Sequence, residues 1–162
     1  MNENSEDIDI TINIIQRFRG IEISQTEIKK LVHSVCTAFT AAKNKIPCFE
    51  INIAIVDDLQ IRKLNKNFRN SDTVTDCLSF DLSESNKESA DNVFEIIVNG
   101  ERALQQADER GHNAKSELAL YIAHGLLHNL GFNDEQEEEA KKMHEAEDKI
   151  LQELGYGPVY NH

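Results

Sequence analysis

Cysteine is scarce in this chain. Cys36, Cys48 and Cys77 are odd in number, scattered, and form no C-x-x-C pair. That excludes a disulfide framework and a cysteine-built zinc site, and leaves all three as small buried apolar side chains. Positive charge is also short: 17 Lys and Arg stand against 29 Asp and Glu, a formal net charge of −12. A generic electrostatic nucleic-acid binder is thereby excluded, and a phosphate-bearing substrate would need a local basic patch. One such patch exists in Arg62, Lys63, Lys66 and Arg69. No apolar run approaches the length of a membrane span, and the polar, acidic residues 1–7 include no basic region followed by an apolar one. A cytoplasmic protein without a membrane partner is expected.

What remains is ordinary globular composition, 40% hydrophobic and 28% charged over 162 residues, which predicts one domain across residues 1–162. Ile8, Ile10, Ile12 and Ile14 alternate with polar residues at the period of a half-buried strand. Ser24 and Glu27 form a capping box ahead of Ile28, Leu31, Val32, Val35, Cys36 and Phe39, so a helix is predicted to run to about residue 43. Ile51, Ile53 and Ile55 predict a second strand, and Asp57 or Asp58 caps a short helix with Ile61 and Leu64. Residues 77–81 and 93–98 read as strands around a Ser-rich exposed loop at 82–92. A short helix at 101–110 is followed by one capped by Asn113 that holds Leu118, Ile122, Leu126 and Leu130 and stops at Gly131. Apolar residues cover most of its circumference, so it is predicted to be central and buried. A last helix spans 135–154 and ends at Gly155. The pattern is α+β, a single mixed sheet packed against helices.

The chemistry gathers on that central helix. His124 and His128, four residues apart, point the same way with Cβ atoms about 5–6 Å apart, so both imidazoles reach one metal ion. Gly131 turns the chain and brings Asp134 back as a third ligand, a layout shared with the metzincin pattern H-E-x-x-H-x-x-G-x-x-H. Glu135 and His144 are rivals for that third place. Core histidines bonded to their neighbours are the bland alternative. Metalloproteases need Glu after the first His as general base, and Gly125 stands there, which argues against peptide hydrolysis. Glu117, two turns before His124, either orients a ligand or is a plain acid near the helix start. Residues 64–80, taken alone, read as an ordinary helix–loop–strand connection.

Together the two segments resemble the YbeY family of bacterial endoribonucleases, also called ribosomal RNA maturation factors. Asn65, Phe68, Arg69, Asp72, Thr75, Asp76, Leu78, Ser79 and Phe80 match one family pattern; His124, Gly125, Leu127, His128 and Gly131 match the other. Phe132 replaces the family's Tyr, and Met143, Glu147, Ile150 and Leu151 also fall where the pattern expects them. The family's third metal-binding His falls on Asp134, its preceding Asp on Asn133, and Cys77 replaces a usual Val. Asp in place of His keeps a ligand but adds negative charge and weakens the metal as a Lewis acid.

The resemblance implies one zinc ion per chain and single-stranded RNA, notably ribosomal RNA precursors near the small-subunit 3′ end, as substrate. It also implies the ribosome or its small subunit as partner, and a role in ribosome quality control. Arg69 matches the family's functionally important arginine and is expected to stabilise charge on the phosphoryl oxygens. The competing expectations are a non-catalytic ribosome assembly factor with a structural metal, and a metal-dependent hydrolase of another substrate.

Overall fold

In the computed structural model, which describes residues 8–39, 48–83, 92–157 and 159, four strands form one mixed sheet. The strands are β1 (Asp9–Gln16), β2 (Cys48–Val56), β3 (Cys77–Asp81) and β4 (Asn92–Asn99), in the order β1-β2-β4-β3. β1 and β4 both run parallel to β2, and β3 is antiparallel to β4 at one edge. Alternation of side chains sends Phe49, Ile51, Ile53 and Ile55 of β2 into the main core, and Val56 to a smaller cluster with Ile61, Leu78 and Ile97. β4 is apolar on both faces because both faces are covered.

The helices are α1 (Gln25–Phe39), α2 (Asp58–Arg69), α3 (Gly100–Arg110), α4 (Ala114–Asn129) and α5 (Glu137–Glu153). α1 and α4 share the main core with the sheet, α3 and α5 flank α4, and α2 packs on β3 and β4 over the small cluster. Start signals act as the sequence predicts. Ser24 and Glu27 exchange hydrogen bonds of 3.1 and 2.8 Å. Asp57, rather than Asp58, caps α2 and makes a second capping box with Gln60. Asn113 accepts the Lys115 N–H at 2.8 Å to begin α4, which is buried almost all round.

Two expectations change. α5 begins at Glu137 rather than residue 135, because Asn133 Oδ1 takes the Glu135 N–H at 3.0 Å and holds that stretch outside the helix. Of the cysteines only Cys36 is fully buried; Cys48 and Cys77 are half-buried. The expected end of α1 near residue 43 and most of the loop at 82–92 lie outside the described residues. No described helix is long and apolar enough to cross a membrane.

The connection from α2 to β3 is pinned at both ends. Asn70 adopts a left-handed conformation at φ 55° to close α2. Buried Asn65 donates to the Thr73 carbonyl at 3.1 Å and its hydroxyl at 3.2 Å. Asn99, wholly buried, donates to Thr75 O at 3.2 Å and Asp58 Oδ1 at 2.6 Å, and its oxygen accepts the Arg102 N–H at 3.0 Å to cap α3.

Candidate metal centre

α4 delivers His124 and His128 from its last two turns, and its C-terminal stop fixes the direction of the chain beyond it. Gly131 takes φ 105°, a conformation that favours glycine, and the Phe132 N–H returns to the Leu127 carbonyl at 3.0 Å. The reversed chain then carries Asp134 across the helix end. Asp134 Oδ2 lies 3.8 Å from His124 Nε2 and 3.5 Å from His128 Nε2, and the two Nε2 atoms are 3.1 Å apart. Among the described residues these three form the one group of His, Cys, Asp and Glu able to close on a single ion; Glu135 and His144 do not join it.

Hydrogen bonds behind the imidazoles aim them. His128 Nδ1 lies 3.2 Å from the Phe132 carbonyl oxygen, which only accepts, so Nδ1 carries the proton and the Nε2 lone pair faces inward. His124 Nδ1 lies 2.7 Å from Glu147 Oε1 on α5, the carboxylate–histidine arrangement that orients metal-binding imidazoles. Glu147 is fully buried, and its second oxygen has no hydrogen-bond partner among the described residues. Burial alone would lower the His124 pKa. The Glu147 hydrogen bond and charge, with Asp134 and Asp76 beyond, outweigh it and raise the pKa above its ordinary value.

These donors fit a tetrahedral ion. Zinc bonds of about 2.0–2.1 Å imply donor–donor edges of about 3.3 Å, and the observed edges of 3.1, 3.5 and 3.8 Å bracket that value. Two lone pairs aimed at one point with a carboxylate beside them suit a cation better than packed core histidines.

Gly125 has its own structural reason. A Cβ there would lie 2.7 Å from Cys77 Sγ and 3.0 Å from Ile96 Cγ2, so α4 approaches the sheet through this residue. A glutamate at 125 would be driven into the sheet rather than toward the histidines. The Cys77 thiol, half-buried beside the site, is pushed up to about 12 by burial and by the Asp76 charge, with Arg69 opposing. It is held as a thiol at neutral pH.

His124 also lines a cavity of about 120 Å³ with Asp76, Cys77, Arg102, Arg110 and Tyr121. A larger hollow of about 360 Å³ lies at the opposite end of α4, around Lys115 and Tyr156, away from the histidines. Within the smaller cavity Arg102 pairs with Asp76 at 2.8 Å. Arg110 pairs at 3.4 Å with fully buried Glu117, whose hydrogen bond goes to Arg110 and to neither histidine.

Arg69 comes to the edge strand from the α2 side. Its Nη2 donates to the Ser79 carbonyl at 3.3 Å, and its guanidinium carbon sits 5.6 Å from the centre of the Phe80 ring. Among the described residues no hydrogen bond or ion pair joins Arg69 to His124, His128 or Asp134. Of the other basic residues, Arg62 pairs with Asp72 at 2.9 Å, and Lys63 and Lys66 are exposed. Glu147 is the residue that sequence reasoning left without a role. Its signal was present, an acid at an inward position between Met143 and Ile150 of an amphipathic helix.

Fold and site define a class, an α+β protein whose buried helix presents a His–His–carboxylate group suited to one metal ion. Similarity to known proteins narrows that class. The profile described as Endoribonuclease YbeY matches residues 13–155. An Endoribonuclease YbeY from Thermoanaerobacter sp. (strain X514) is 33% identical over 158 residues, covering 90% of this chain and 99% of that one. Another, from Desulforamulus reducens, is 38% identical over 140 residues, covering 83% and 92%. The solution structure of TM1509 from Thermotoga maritima shares the fold at a TM-score of 0.59, with 24% identity and 89% of each chain covered. The chain belongs to the Endoribonuclease YbeY family.

Proposed function

We propose that this protein is a zinc-dependent endoribonuclease that prefers single-stranded RNA. It acts in the cytoplasm on ribosomal RNA precursors near the small-subunit 3′ end, in company with the ribosome, and contributes to ribosome quality control. Family membership supports RNA phosphodiester hydrolysis as the chemistry. The observation that carries the reading is the donor triangle. Two imidazoles tied at Nδ1 aim their Nε2 atoms at one point beside Asp134.

His124, His128 and Asp134 would hold the ion, and three protein donors leave a fourth position open, as in catalytic rather than structural sites. A bound zinc there supplies Lewis acidity toward a phosphoryl oxygen and lowers the pKa of bound water. Glu147 keeps the His124 proton on Nδ1. Arg69 offers its fork of donors to charge developing on the phosphoryl oxygens. Gly125 leaves no acid where a peptidase carries its general base, which favours a phosphodiester over a peptide.

The test is cleavage of a single-stranded ribosomal RNA precursor fragment by purified protein, with chelator, with zinc restored, and beside an identically purified His128→Ala variant. Zinc-restored cleavage that the variant lacks is expected. Equal cleavage by both proteins, or none by either with metal bound, would move the reading to a metal-stapled assembly factor.

A further inference from the structure

We propose that Phe68 and Phe80, with Arg69 beside them, form a stacking platform for an unpaired base of the RNA strand. The inference rests on the ribonuclease reading and adds a binding subsite at the β3 edge, on the sheet face that α2 covers. Phe68 is 66% exposed, the most exposed of the large hydrophobic side chains among the described residues. It lies in the last turn of α2, where the helix surface otherwise carries Arg62, Lys63, Lys66 and Arg69. Its ring centre lies 5.5 Å from that of half-buried Phe80 at an interplanar angle of 57°, and the Arg69 guanidinium lies 5.6 Å from the Phe80 ring centre. Phe80 packs against the small cluster beneath the sheet and anchors the pair.

Charge selects the occupant. The chain carries a net charge of −12, yet Phe68 sits in a run of four cations within eight residues, one of which is paired with Asp72. An apolar protein partner needs no such cations, whereas a single strand offers a base for the ring and phosphates for the lysines. Geometry sets the path. Along the edge strand β3, Cys77 faces α4 beside Gly125, while Leu78 and Phe80 face α2. Arg69 lies on the Ser79 carbonyl between them. A strand that meets the metal group therefore passes over this edge, Arg69 contacting a phosphate and Phe68 the next exposed base. Duplex RNA keeps its bases stacked on one another and cannot offer one to the platform.

The experiment is fluorescence anisotropy of the metal-loaded full chain with a short labelled single-stranded RNA whose phosphorothioate linkages slow cleavage, across a salt series. Phe68→Ala, Phe68→Trp and Lys66→Ala are compared with the parent, with thermal melts to verify folding. Phe68→Ala is expected to weaken binding about ten-fold with an unchanged salt slope, Phe68→Trp to restore it, and Lys66→Ala to flatten the salt slope. Phe68→Ala binding as tightly as the parent would overturn the platform while leaving the ribonuclease reading intact. A parent protein that binds no RNA would overturn both. Unchanged RNA binding with loss of a concentration-dependent self-association would reassign the face to contact with a second copy.

Discussion

Glu147 links the metal group to α5 through one hydrogen bond, and its removal separates orientation from ligation. Glu147→Ala leaves all three candidate ligands in place but frees the His124 ring, so zinc affinity should fall roughly 10- to 100-fold. Competition against a calibrated chelator measures this; affinity equal to the parent's would mean that the 2.7 Å contact orients nothing of consequence. Glu147→Gln keeps an acceptor for Nδ1 and should lie between the two.

Glu117 makes the opposite case, an acid buried without a share in the site. Burial raises its pKa, against the opposing pull of Arg110 and His112. As pH rises, the unfolded chain loses this proton first while the folded chain still holds it. The stabilisation present at low pH is therefore lost as pH climbs through the raised folded value. Glu117→Gln should flatten that loss, so that urea midpoints of variant and parent diverge in the variant's favour toward neutral pH. A constant difference across the same range would contradict the assignment. At this scale the sequence displayed the three candidate ligands, because helical spacing and the Gly131 stop are local. The partners of Glu117 and Glu147 were hidden, since one is set by how α3 meets α4 and the other by how α5 packs behind them.

Among the elements, α4 is decisive, and its fit to the sheet depends on Gly125. Ala at 125 gains about 1 kcal/mol of helix propensity but drives its Cβ to 2.7 Å from Cys77 Sγ and 3.0 Å from Ile96. Overpacking of that kind costs about 1–3 kcal/mol. Gly125→Ala should be net destabilising by about 1 kcal/mol, and Cys77→Ala in the same chain should recover part of it. A double-mutant cycle by urea denaturation reads the coupling; strict additivity would mean that Cys77 does not limit the approach of α4. Helix starts at Ser24, Asp57 and Asn113 were legible because a cap and its partner sit within three residues of each other. The start of α5 was not. The acids from Asp134 onward look like a helix N-terminus, yet Asn133 holds Glu135 in a turn and Gln136 begins the helix without a side-chain cap. The pinning of the α2–β3 connection by Asn65 and Asn99 was also unreadable, because Asn99 reaches residues 24 and 41 positions away.

For the whole molecule, composition and strand periodicity carried the fold class, one mixed sheet with helices and a buried central helix. Strand order did not emerge from periodicity, since β4 inserts between β2 and β3 through contacts no local pattern encodes. Net charge sets how the molecule meets RNA. With −12 overall, RNA held by the cations of α2, as proposed above, should bind less tightly as salt rises.

The most direct test of the metal-centre account is zinc content measured together with RNA cleavage in Asp134→Ala and Asp134→His. If Asp134 completes the triangle, the alanine variant loses both zinc and cleavage, while histidine keeps the ion. An alanine variant that binds zinc stoichiometrically and cleaves at the parent rate would contradict the account, and would return the third ligand to Glu135 or His144.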